Sequence, residues 1–478
     1  MVRVTSQLTD MGETQDAPTL EPLVLAPRRS RGVVPKRRIV PLVAVAFVWA
    51  VALGNAVLIV WLWIHGGNLD VHTTGDLLTS IARITGLLGA YLALIQVLLL
   101  ARLPWLERVV GFDRLSVWHR WNGHACLDLI LAHVVFSVYG YALLDKISLP
   151  AEISTMLGGG VYPGMITATV GTALLVLVVV TSIVIVRRRL SYEAWYLVHV
   201  SAYAGIALGW FHQIPTGNEL VLDRLAANYW RGLYIATIVL LVAFRFGAPL
   251  VNALRFRLRI AEVIPEGPGV VSLRITGHRL DRLQAQAGQF FLWRFLTRGR
   301  WLMAHPFSLS AAPGGDSLRI TVKALGDHTG RMSELKPGTR VLAEGPFGVF
   351  TNRARRREKV VLIAGGIGIT PIRALLEEMD GDIVVLYRVV SPQDVVFFDE
   401  LQTLARERGS RLELVIGDHA TDEGGRLLSP DHLRQLVPDI QDRDVYVCGP
   451  PAMTAVIEKH LRDARVPSRH VKVERFAL

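Results

Sequence analysis

Four histidines in two apolar stretches have the spacing expected of ligands to two bound groups. The segment WHRWNGHACLDLILAH contains His119 and His133, and the later segment YLVHVSAYAGIALGWFHQ contains His199 and His212. On helices that rise about 1.5 Å per residue, each pair is separated by roughly 20 Å, so two helices offer imidazoles at two matched levels. Neutral imidazole ligates iron, and an ionisable residue at membrane depth indicates a functional site. We therefore predict two bis-histidine haems stacked across a membrane, with these ligand pairs: His119 with His199, and His133 with His212.

The two pairs differ in helical phase. Fourteen steps of about 100° return to within about 40° of the starting direction, whereas thirteen steps miss it by about 140°. The helix that carries His199 and His212 therefore needs a bend or a bulge, or else one haem is rotated relative to the other. His124 fits neither level and is interpreted as a packing residue, and His65 and His72 lie in a polar loop.

Six apolar runs are long enough to cross a membrane, and 51% of the residues are hydrophobic. The runs cover about 39–64, 77–101, 117–143, 162–186, 192–212 and 229–249. Arginine-rich segments follow the second, fourth and sixth runs, whereas the other loops contain few basic residues. By the positive-inside rule, the sequence predicts a multi-pass protein of the plasma (inner) membrane with both termini cytoplasmic.

The distribution of charge argues against nucleic-acid binding. The formal net charge is +11, but basic residues concentrate within 28–38, immediately before the first apolar run, where they fit a cytoplasmic anchor. Residues 1–38 are polar and lack apolar periodicity, so they predict a disordered cytosolic tail rather than a cleaved signal peptide. The two cysteines, Cys126 and Cys448, lie in unrelated segments and indicate neither a disulfide framework nor a thiolate metal site.

Arg83 is a charged residue inside the second apolar run. Counted from the outer end of that run, it lies roughly 10 Å deep, close to the predicted level of His133. A buried cation needs a partner, and a haem propionate is a suitable one. The alternative is that the long side chain reaches back to the membrane interface.

The second half of the chain has the pattern of a soluble module. From about residue 255, the segments FRLRIAEVI, VVSLRITG, QFFLWRF and LRITVKA are rich in β-forming residues and predict a small antiparallel barrel. From 358 onward, the apolar strands KVVLIAG, DIVVLYRV, RLELVIG and DVYVCG alternate with helical stretches, which predicts a parallel sheet.

Three motifs in this module are suited to holding a flavin nucleotide. In HPFSLS, residues 305–310, an aromatic ring beside a hydroxyl can stack on a flavin and bond to its edge. In VKALGDHTGRM, Thr329 can cap a short helix whose N–H groups would bind a pyrophosphate. EGPFG, residues 344–348, predicts a tight turn at a domain boundary.

Two further motifs are suited to a nicotinamide nucleotide. VVLIAGGIGITPIRALL reads as a strand, a glycine-rich turn and a helix, and glycines there let the backbone approach a phosphate at the helix N-terminus. VYVCGPPAM places Cys448 at the end of a strand, where open parallel sheets bind ligands. A buried structural cysteine is the alternative interpretation of Cys448.

Together these motifs resemble the NADPH oxidase/ferric reductase family over residues 40–478. The resemblance rests on the four histidines at their spacings and on HPFSLS, EGPFG, AGGIGITP and CGPPAM. It implies a membrane all-α six-helix haem bundle, a soluble β-barrel FAD domain and an α/β parallel-sheet nucleotide-binding domain. The implied bounds are a disordered tail over 1–38, the transmembrane di-haem domain over 39–250, the FAD domain over 251–352 and the NAD(P)H domain over 353–478.

The resemblance implies that His305, Phe307 and Ser308 hold FAD, that Gly365 to Pro371 hold the dinucleotide phosphates and that Cys448 to Pro450 flank the nicotinamide. The motifs and the resemblance together give the full set of candidate site residues. The candidate catalytic residues are Arg83, Cys448 and Phe476. The candidate cofactor-binding residues are His305, Pro306, Phe307, Ser308, Lys323, Thr329, Gly345, Gly365, Gly366, Gly368, Thr370, Pro371, Arg388, Cys448, Gly449, Pro450 and Phe476. The family often ends on an aromatic residue that covers the flavin, whereas here Phe476 is followed by Ala477 and Leu478.

The predicted function is transmembrane electron transfer from cytosolic NAD(P)H, through FAD and two b-type haems, to a small extracytoplasmic acceptor. NADPH is favoured because Arg388 ends the second strand of the parallel sheet, where a 2′-phosphate would lie; a solvated arginine is the alternative. Molecular oxygen, giving superoxide, is the favoured acceptor; a ferric chelate and a periplasmic partner protein remain alternatives. A haem module that only carries electrons for a partner is the competing class. No nucleic-acid partner is expected, and the oligomeric state is left open.

Overall fold

The computed structural model describes residues 2–5, 40–158, 162–297, 303–418 and 421–476. The chain divides into two compact units. One unit comprises Met1–Arg38 and Pro249–Leu478, and the other is Ile39–Ala248.

The unit Ile39–Ala248 is helical. Its described elements, together with the helix that continues beyond it, are α1 (Val40–His65), α2 (Thr74–Leu99), α3 (Pro104–Val110), α4 (Phe112–Asp145), α5 (Leu149–Leu157), α6 (Met165–Ser182), α7 (Val184–Arg187), α8 (Tyr192–Thr216), α9 (Asn218–Val221), α10 (Arg224–Leu241), a π-helical turn (Val242–Gly247) and α11 (Ala248–Phe256).

Five stretches of the described helices are long and apolar enough to cross a membrane. They are Val43–His65, Thr74–Leu99, Arg114–Asp145, Met165–Ser182 and Arg224–Phe256. The sequence predicts six spans, and the predicted fifth run coincides with α8. That helix has 25 residues but is not among the five. Its polar residues, including both of its histidines, lower its mean hydropathy, so the six-helix count is not supported by hydropathy alone.

Glycine residues bring two pairs of helices into close contact. A Cβ at Gly140 of α4 would lie 2.7 Å from Thr79 Cγ2 of α2. A Cβ at Gly171 of α6 would lie 2.7 Å from the carbonyl oxygen of Gly205 on α8. Small residues let helix backbones approach closely in a membrane, where the lipid tails are as apolar as the side chains. The histidine-bearing helices α4 and α8 are therefore each packed tightly against a partner, α2 and α6 respectively.

Helix α8 is a continuous α-helix from Tyr192 to Thr216, although it contains Pro215 near its end. No bulge interrupts the described stretch between His199 and His212. The bulge that the spacing allowed between these histidines is therefore not found, and a bend of the helix or a rotation of one haem relative to the other stays a prediction. The π-helical turn of the unit lies instead at Val242–Gly247.

The other unit contains two β-structures. Its described strands are β1 (Val2–Thr5), β2 (Arg259–Gly267), β3 (Val270–Thr276), β4 (Phe290–Phe295), β5 (His305–Ser308), β6 (Ser317–Lys323), β7 (Val341–Phe347), β8 (Lys359–Gly365), β9 (Asp382–Val389), β10 (Arg411–Ile416), β11 (Asp444–Gly449) and β12 (Val471–Arg475). Its described helices after α11 are α12 (Asp327–Gly330), α13 (Ile369–Glu378), α14 (Phe398–Glu407), α15 (Asp422–Arg426), α16 (Pro430–Leu436) and α17 (Pro451–Asp463).

Six antiparallel strands surround one apolar core. They form two three-stranded sheets, β2-β3-β6 and β5-β4-β7, linked by single bridges between Arg259 and Arg340 and between Leu309 and Ile320. The core combines side chains of both sheets, including the fully buried Trp293. The expected barrel is thus two bridged sheets among the described residues. EGPFG was predicted as a turn, but residues 344–347 continue β7, and the chain turns only from Gly348 (φ 94°).

The remaining strands form a six-stranded parallel sheet of order β1-β10-β9-β8-β11-β12. Residues 360–365 of β8 and all of β11 are buried, as expected of strands covered by helices on both faces. The sequence predicts a disordered tail over 1–38, but Val2–Thr5 pairs in parallel with β10 at the sheet edge. The alternation of β-branched residues in VRVT suits such an edge strand. Residues 6–39 lie outside the described residues.

Candidate functional site

The two histidines at one level of the helical unit face each other. The ring centroids of His119 and His199 are 6.0 Å apart, with an interplanar angle of 50°. A metal–imidazole bond is about 2 Å long. Two such bonds, together with the distance from each bonded nitrogen to its ring centroid, separate the two centroids by roughly 6 Å. His133 and His212 also lie close enough for their rings to interact electrostatically. The first spacing fits an iron between two axial imidazoles.

Backbone carbonyls of α2 hold the two histidines of α4. His119 Nδ1 lies 3.2 Å from the Gln96 carbonyl oxygen, and His133 Nδ1 lies 2.7 Å from that of Ala82. Gln96 and Ala82 are separated by the same number of residues on α2 as His119 and His133 are on α4, and the two helices run antiparallel. The packing of α2 against α4 therefore gives both histidines a carbonyl partner. A carbonyl oxygen only accepts, so each Nδ1 carries the proton and Nε2 is left with the lone pair that binds metal.

Hydroxyl groups hold the two histidines of α8. His199 Nδ1 is 3.4 Å from Ser182 Oγ of α6, and His212 Nδ1 is 3.1 Å from Thr216 Oγ1, one turn further along α8. All four Nδ1 atoms therefore have a hydrogen-bonding partner. Sequence reasoning identified the four histidines but none of these partners.

Two glycines make room for the pair formed by His133 and His212. A Cβ at Gly86 of α2 would lie 2.7 Å from His133 Nδ1, and a Cβ at Gly164 would lie 3.0 Å from His212 Cα. Within the described residues, no group of three or more His, Cys, Asp or Glu side chains could hold a metal ion. Two axial ligands to a haem need no such group.

Arg83 lies next to Ala82, which binds His133. Its Nη1 donates to Asn68 Oδ1 at 2.8 Å. The predicted partner was a haem propionate, which stays a prediction. Asn68, in the loop between α1 and α2, was not singled out from the sequence, because its position depends on how that loop closes.

The predicted flavin motif lies on β5, which pairs with β4. The rings of His305 and Phe307 share one side of the strand, 5.9 Å apart and nearly parallel at 14°. Trp293 Nε1 donates to the Phe307 carbonyl at 3.0 Å and fixes this strand against the core. Pro306 is exposed and Ser308 is buried.

Four residues lie close together, although they come from β5, β11, β12 and the segment after β12. Ser308 Oγ lies 3.5 Å from Glu474 Oε1, and Glu474 of β12 is opposite Cys448 of β11 in the sheet register. The Phe476 backbone N–H points to the Gly449 carbonyl at 3.4 Å, and its ring packs against the core that contains Cys448. Burial, and then the charge of Glu474, raises the pKa of the Cys448 thiol well above its usual range. This arrangement fits a flavin ring and a nicotinamide beside it.

Glu474 is a candidate functional residue that sequence reasoning missed. The segment VKVER reads as a terminal strand, and a carboxylate there resembles a solvated charge. The one sequence feature that could have indicated a role for Glu474 is its position as a single acidic residue, two positions before the aromatic Phe476.

The glycine-rich turn joins β8 to α13 and serves two purposes. A Cβ at Gly365 would lie 2.1 Å from Met453 Sδ, and one at Gly368 would lie 2.3 Å from the Cys448 carbonyl oxygen. These two glycines therefore allow close contact with the CGPPAM segment, and their predicted role at a phosphate stays a prediction. Gly366, with φ 52° and no atom within 4 Å of its Cβ position, borders open space and is the glycine best placed near a ligand.

Other predicted nucleotide residues lie around this turn. Thr370 and Pro371 are buried in the first turn of α13, where Thr370 Oγ1 donates to the Ile367 carbonyl at 3.1 Å. Gly449 ends β11, and Pro450 precedes α17. The carboxyl ends of β8 and β11 thus bring the two predicted nucleotide motifs together.

Three predicted cofactor residues have protein partners. Lys323 Nζ pairs with Asp394 Oδ1 at 3.2 Å. Thr329 is the third residue of the short helix α12 rather than the residue before it, and its hydroxyl caps the start of the helix by accepting from the N–H groups of residues 325 and 326. Gly345 (φ 145°) packs against Phe291, 2.7 Å from where its Cβ would be.

Arg388 lies near the carboxyl end of β9. Its guanidinium donates to the carbonyls of Val389, Val415 and Gly424 at 3.2–3.4 Å. The charge of the Asp418 carboxylate also acts on the group. The side chain is therefore not simply solvated.

Three family models match successive parts of the chain. Ferric reductase like transmembrane component matches residues 85–210, FAD-binding domain matches residues 256–351 and Oxidoreductase NAD-binding domain matches residues 362–459.

Individual proteins resemble about half of the chain. The ferredoxin reductase component of 3-ketosteroid-9-alpha-monooxygenase from Mycolicibacterium smegmatis is 31% identical over 46% of this chain, and NADH oxidoreductase HCR from Escherichia coli is 28% identical over 44%. The chain spans 65% of the length of each of these relatives. The flavohem-like FAD/NAD binding domain of nitric oxide dioxygenase from Vibrio cholerae is 26% identical, with a TM-score of 0.38, over 46% of this chain and 98% of that domain. Taken in chain order, the three family matches make up the NADPH oxidase/ferric reductase architecture, and that is the architecture of this chain.

Proposed function

We propose that this membrane-linked NAD(P)H/FAD oxidoreductase moves electrons across the plasma (inner) membrane to a small acceptor on the outer side. Two haem b groups would be held by the pairs His119–His199 and His133–His212. The observation that carries the proposal is that all four imidazoles have a partner at Nδ1, which leaves Nε2 of each for iron.

The path of the chain supports the direction of transfer. At the C-terminal end of α10, Leu240 and Leu241 pack in the same apolar cluster as Trp118, the neighbour of His119. Helix α10 therefore reaches the His119 end of the helical unit shortly before that unit ends at Ala248. Arginine-rich segments favour a cytoplasmic location for that end. Electrons would enter at His119–His199 and leave at His133–His212.

When bound, FAD and haem supply hydride acceptance and one-electron transfer, which protein side chains do not provide. The protein residues hold and orient these groups. The rings of His305 and Phe307 offer a stacking surface, Ser308 and Glu474 offer polar contacts at the flavin edge, and the neutral Cys448 thiol borders the nicotinamide site. Gly366 leaves the space that a phosphate needs beside α13.

We favour oxygen as the acceptor, giving superoxide, because Arg83 would place positive charge where an anionic product forms. A ferric chelate is the second candidate, since the same charge attracts anionic chelates. A periplasmic partner protein is the third.

The decisive experiment uses the purified full-length protein. Without oxygen, NADPH or NADH should reduce a bis-histidine b-type spectrum with no added protein. Reduction by dithionite but by neither nucleotide would instead favour a haem module that depends on a partner.

The acceptor is tested in air with superoxide dismutase, cytochrome c and ferric citrate. Dismutase-sensitive cytochrome c reduction that matches NADPH loss supports an oxidase. Negligible turnover in air, with fast turnover on ferric citrate under nitrogen, identifies a ferric reductase.

A further inference from the structure

The Arg83 guanidinium is oriented by a neutral side chain. Its Nη1 donates to Asn68 Oδ1 at 2.8 Å, and no Asp or Glu carboxylate of the described residues forms an ion pair with it. An amide oxygen orients a guanidinium without cancelling its charge. A half-buried cation in this state is suited to an anion that comes from outside the chain.

Asn68 is itself firmly held. It is 3% exposed, its Nδ2 donates to the Trp63 carbonyl at 2.8 Å, and its own carbonyl accepts the Ser80 hydroxyl. Trp63 lies near the end of α1 and Ser80 near the start of α2. The asparagine therefore joins both helices and gives the Arg83 side chain a fixed support.

Arg83 lies on α2 between two points of contact with His133. The Ala82 carbonyl bonds this ring, and the Cβ position of Gly86 is 2.7 Å from its Nδ1. Residues three apart lie on the same face of a helix, and Gly86 is three residues after Arg83. Arg83 is therefore within about one helical turn of both contacts, and its side chain is bonded to the loop between α1 and α2.

From these contacts we propose that Asn68 is a positioning residue. It keeps the Arg83 charge unneutralised at the exit of the electron path, and so makes that exit selective for anionic acceptors, such as a carboxylate-coordinated ferric chelate, over cationic ones. This inference rests on the proposed function, because it concerns the site where electrons leave.

The test compares acceptors of opposite charge in the full-length protein, using ferric citrate and hexaammineruthenium(III). We expect Asn68→Ala and Asn68→Asp each to raise KM for ferric citrate by about tenfold, because a hydrogen bond to a charged group is lost or its charge is cancelled. KM for the cationic acceptor should not rise. A merely structural Asn68 predicts a different result: both variants lose the Nδ2 donation to the Trp63 carbonyl, and the KM values for the two acceptors would then change together, whatever their charge.

A redox titration gives a second readout that does not depend on turnover. The carboxylate of Asn68→Asp should lower the midpoint potential of one haem and leave the other unchanged, with two haems per chain retained. Asn55→Ala is the matched control: Asn55 accepts from the Tyr229 hydroxyl at 2.9 Å and has no contact with Arg83. It should keep wild-type KM values and potentials.

The outcomes separate this inference from the proposed function. An unchanged ratio of the two KM values in both Asn68 variants overturns the inference alone. Loss of a haem in either variant also overturns it, because Arg83 would then be serving a propionate or the fold. A wild-type protein that reduces neither acceptor also overturns the inference, whereas a wild-type protein whose haems neither NADPH nor NADH reduces overturns the proposed function itself.

Discussion

At the residue scale, the candidate haem ligands differ in how their Nδ1 atoms are held. The carbonyls that face His119 and His133 can only accept, so they fix one tautomer. The hydroxyls beside His199 and His212 already donate their only proton to helix carbonyls, Ser182 Oγ to Val178 and Thr216 Oγ1 to His212, so they too accept from Nδ1–H. Each haem would therefore have one ligand held by a backbone carbonyl, from α4, and one held by a hydroxyl, from α8, both with Nε2 unprotonated.

The environment of Cys448 leads to a first prediction. Burial and the neighbouring Glu474 charge raise the pKa of this thiol, so it stays neutral as the pH rises through the usual range of about 8.5. In a Cys126→Ser variant, which leaves one cysteine, iodoacetamide at pH 8.5 should label the native protein at least about tenfold more slowly than the denatured protein. Mass spectrometry measures the labelling. Equal rates would contradict the assigned environment.

Arg388 leads to a second prediction, about nucleotide choice. Three backbone carbonyls orient its guanidinium near the carboxyl end of β9, where a 2′-phosphate would gain a charged hydrogen bond. Arg388→Ala should lower kcat/KM for NADPH about tenfold or more and leave that for NADH nearly unchanged. Arg434→Ala, which removes an arginine paired with Asp431, is the control. An equal loss with both nucleotides would mean that Arg388 only supports the adjoining loop.

At the element scale, helix packing decides which histidines can bind a haem. Gly86 lets α2 contact the His133 ring, and Gly171 lets α6 contact α8. The spacing of histidines along the sequence predicted two levels, but it could not predict the α2–α4 pairing that gives both levels a carbonyl partner. That pairing depends on which helices become neighbours.

Residues missed from the sequence share this dependence on neighbours. Glu474 is a candidate through its register opposite Cys448, and Asn68 through the closure of the loop between α1 and α2. By contrast, local motifs such as the strand–turn–helix around Gly366 were predicted, because one continuous segment contains all of their parts. The close contacts of Gly365 and Gly368 with the CGPPAM segment were not predicted, since that segment is distant in the sequence; their role at a phosphate stays a prediction.

Gly86 provides a third prediction, at the scale of the α2–α4 contact. In Gly86→Ala the new methyl group would lie 2.7 Å from His133 Nδ1, too close for the ring to keep its place. We expect this variant to retain one haem per chain instead of two. Gly54→Ala in α1, where no atom lies within 4 Å of the Cβ position, should retain both. A haem-to-protein ratio from the pyridine haemochrome decides between these outcomes.

At the scale of the whole molecule, one chain links a hydride-accepting module to a membrane unit with two candidate haem levels. A membrane potential that is negative inside favours outward electron movement by about 2.3 kcal/mol per 100 mV for a full crossing. Such a path works only if the His119–His199 level is reduced before the His133–His212 level. The order of the two levels is therefore the central property of the proposed path.

Variants that each remove one level test this order. His133→Leu should leave one haem, held by His119 and His199, which NADPH still reduces without oxygen, while transfer to the outer acceptor is lost. His119→Leu should also leave one haem, but only dithionite should reduce it, because the entry level is missing. Flavin reduction by NADPH should survive in both variants, since the predicted flavin residues lie outside the helical unit. Two haems retained in either variant would refute the ligand assignment, and rapid NADPH reduction of the haem in His119→Leu would refute the order, because electrons would then reach His133–His212 without passing the other level.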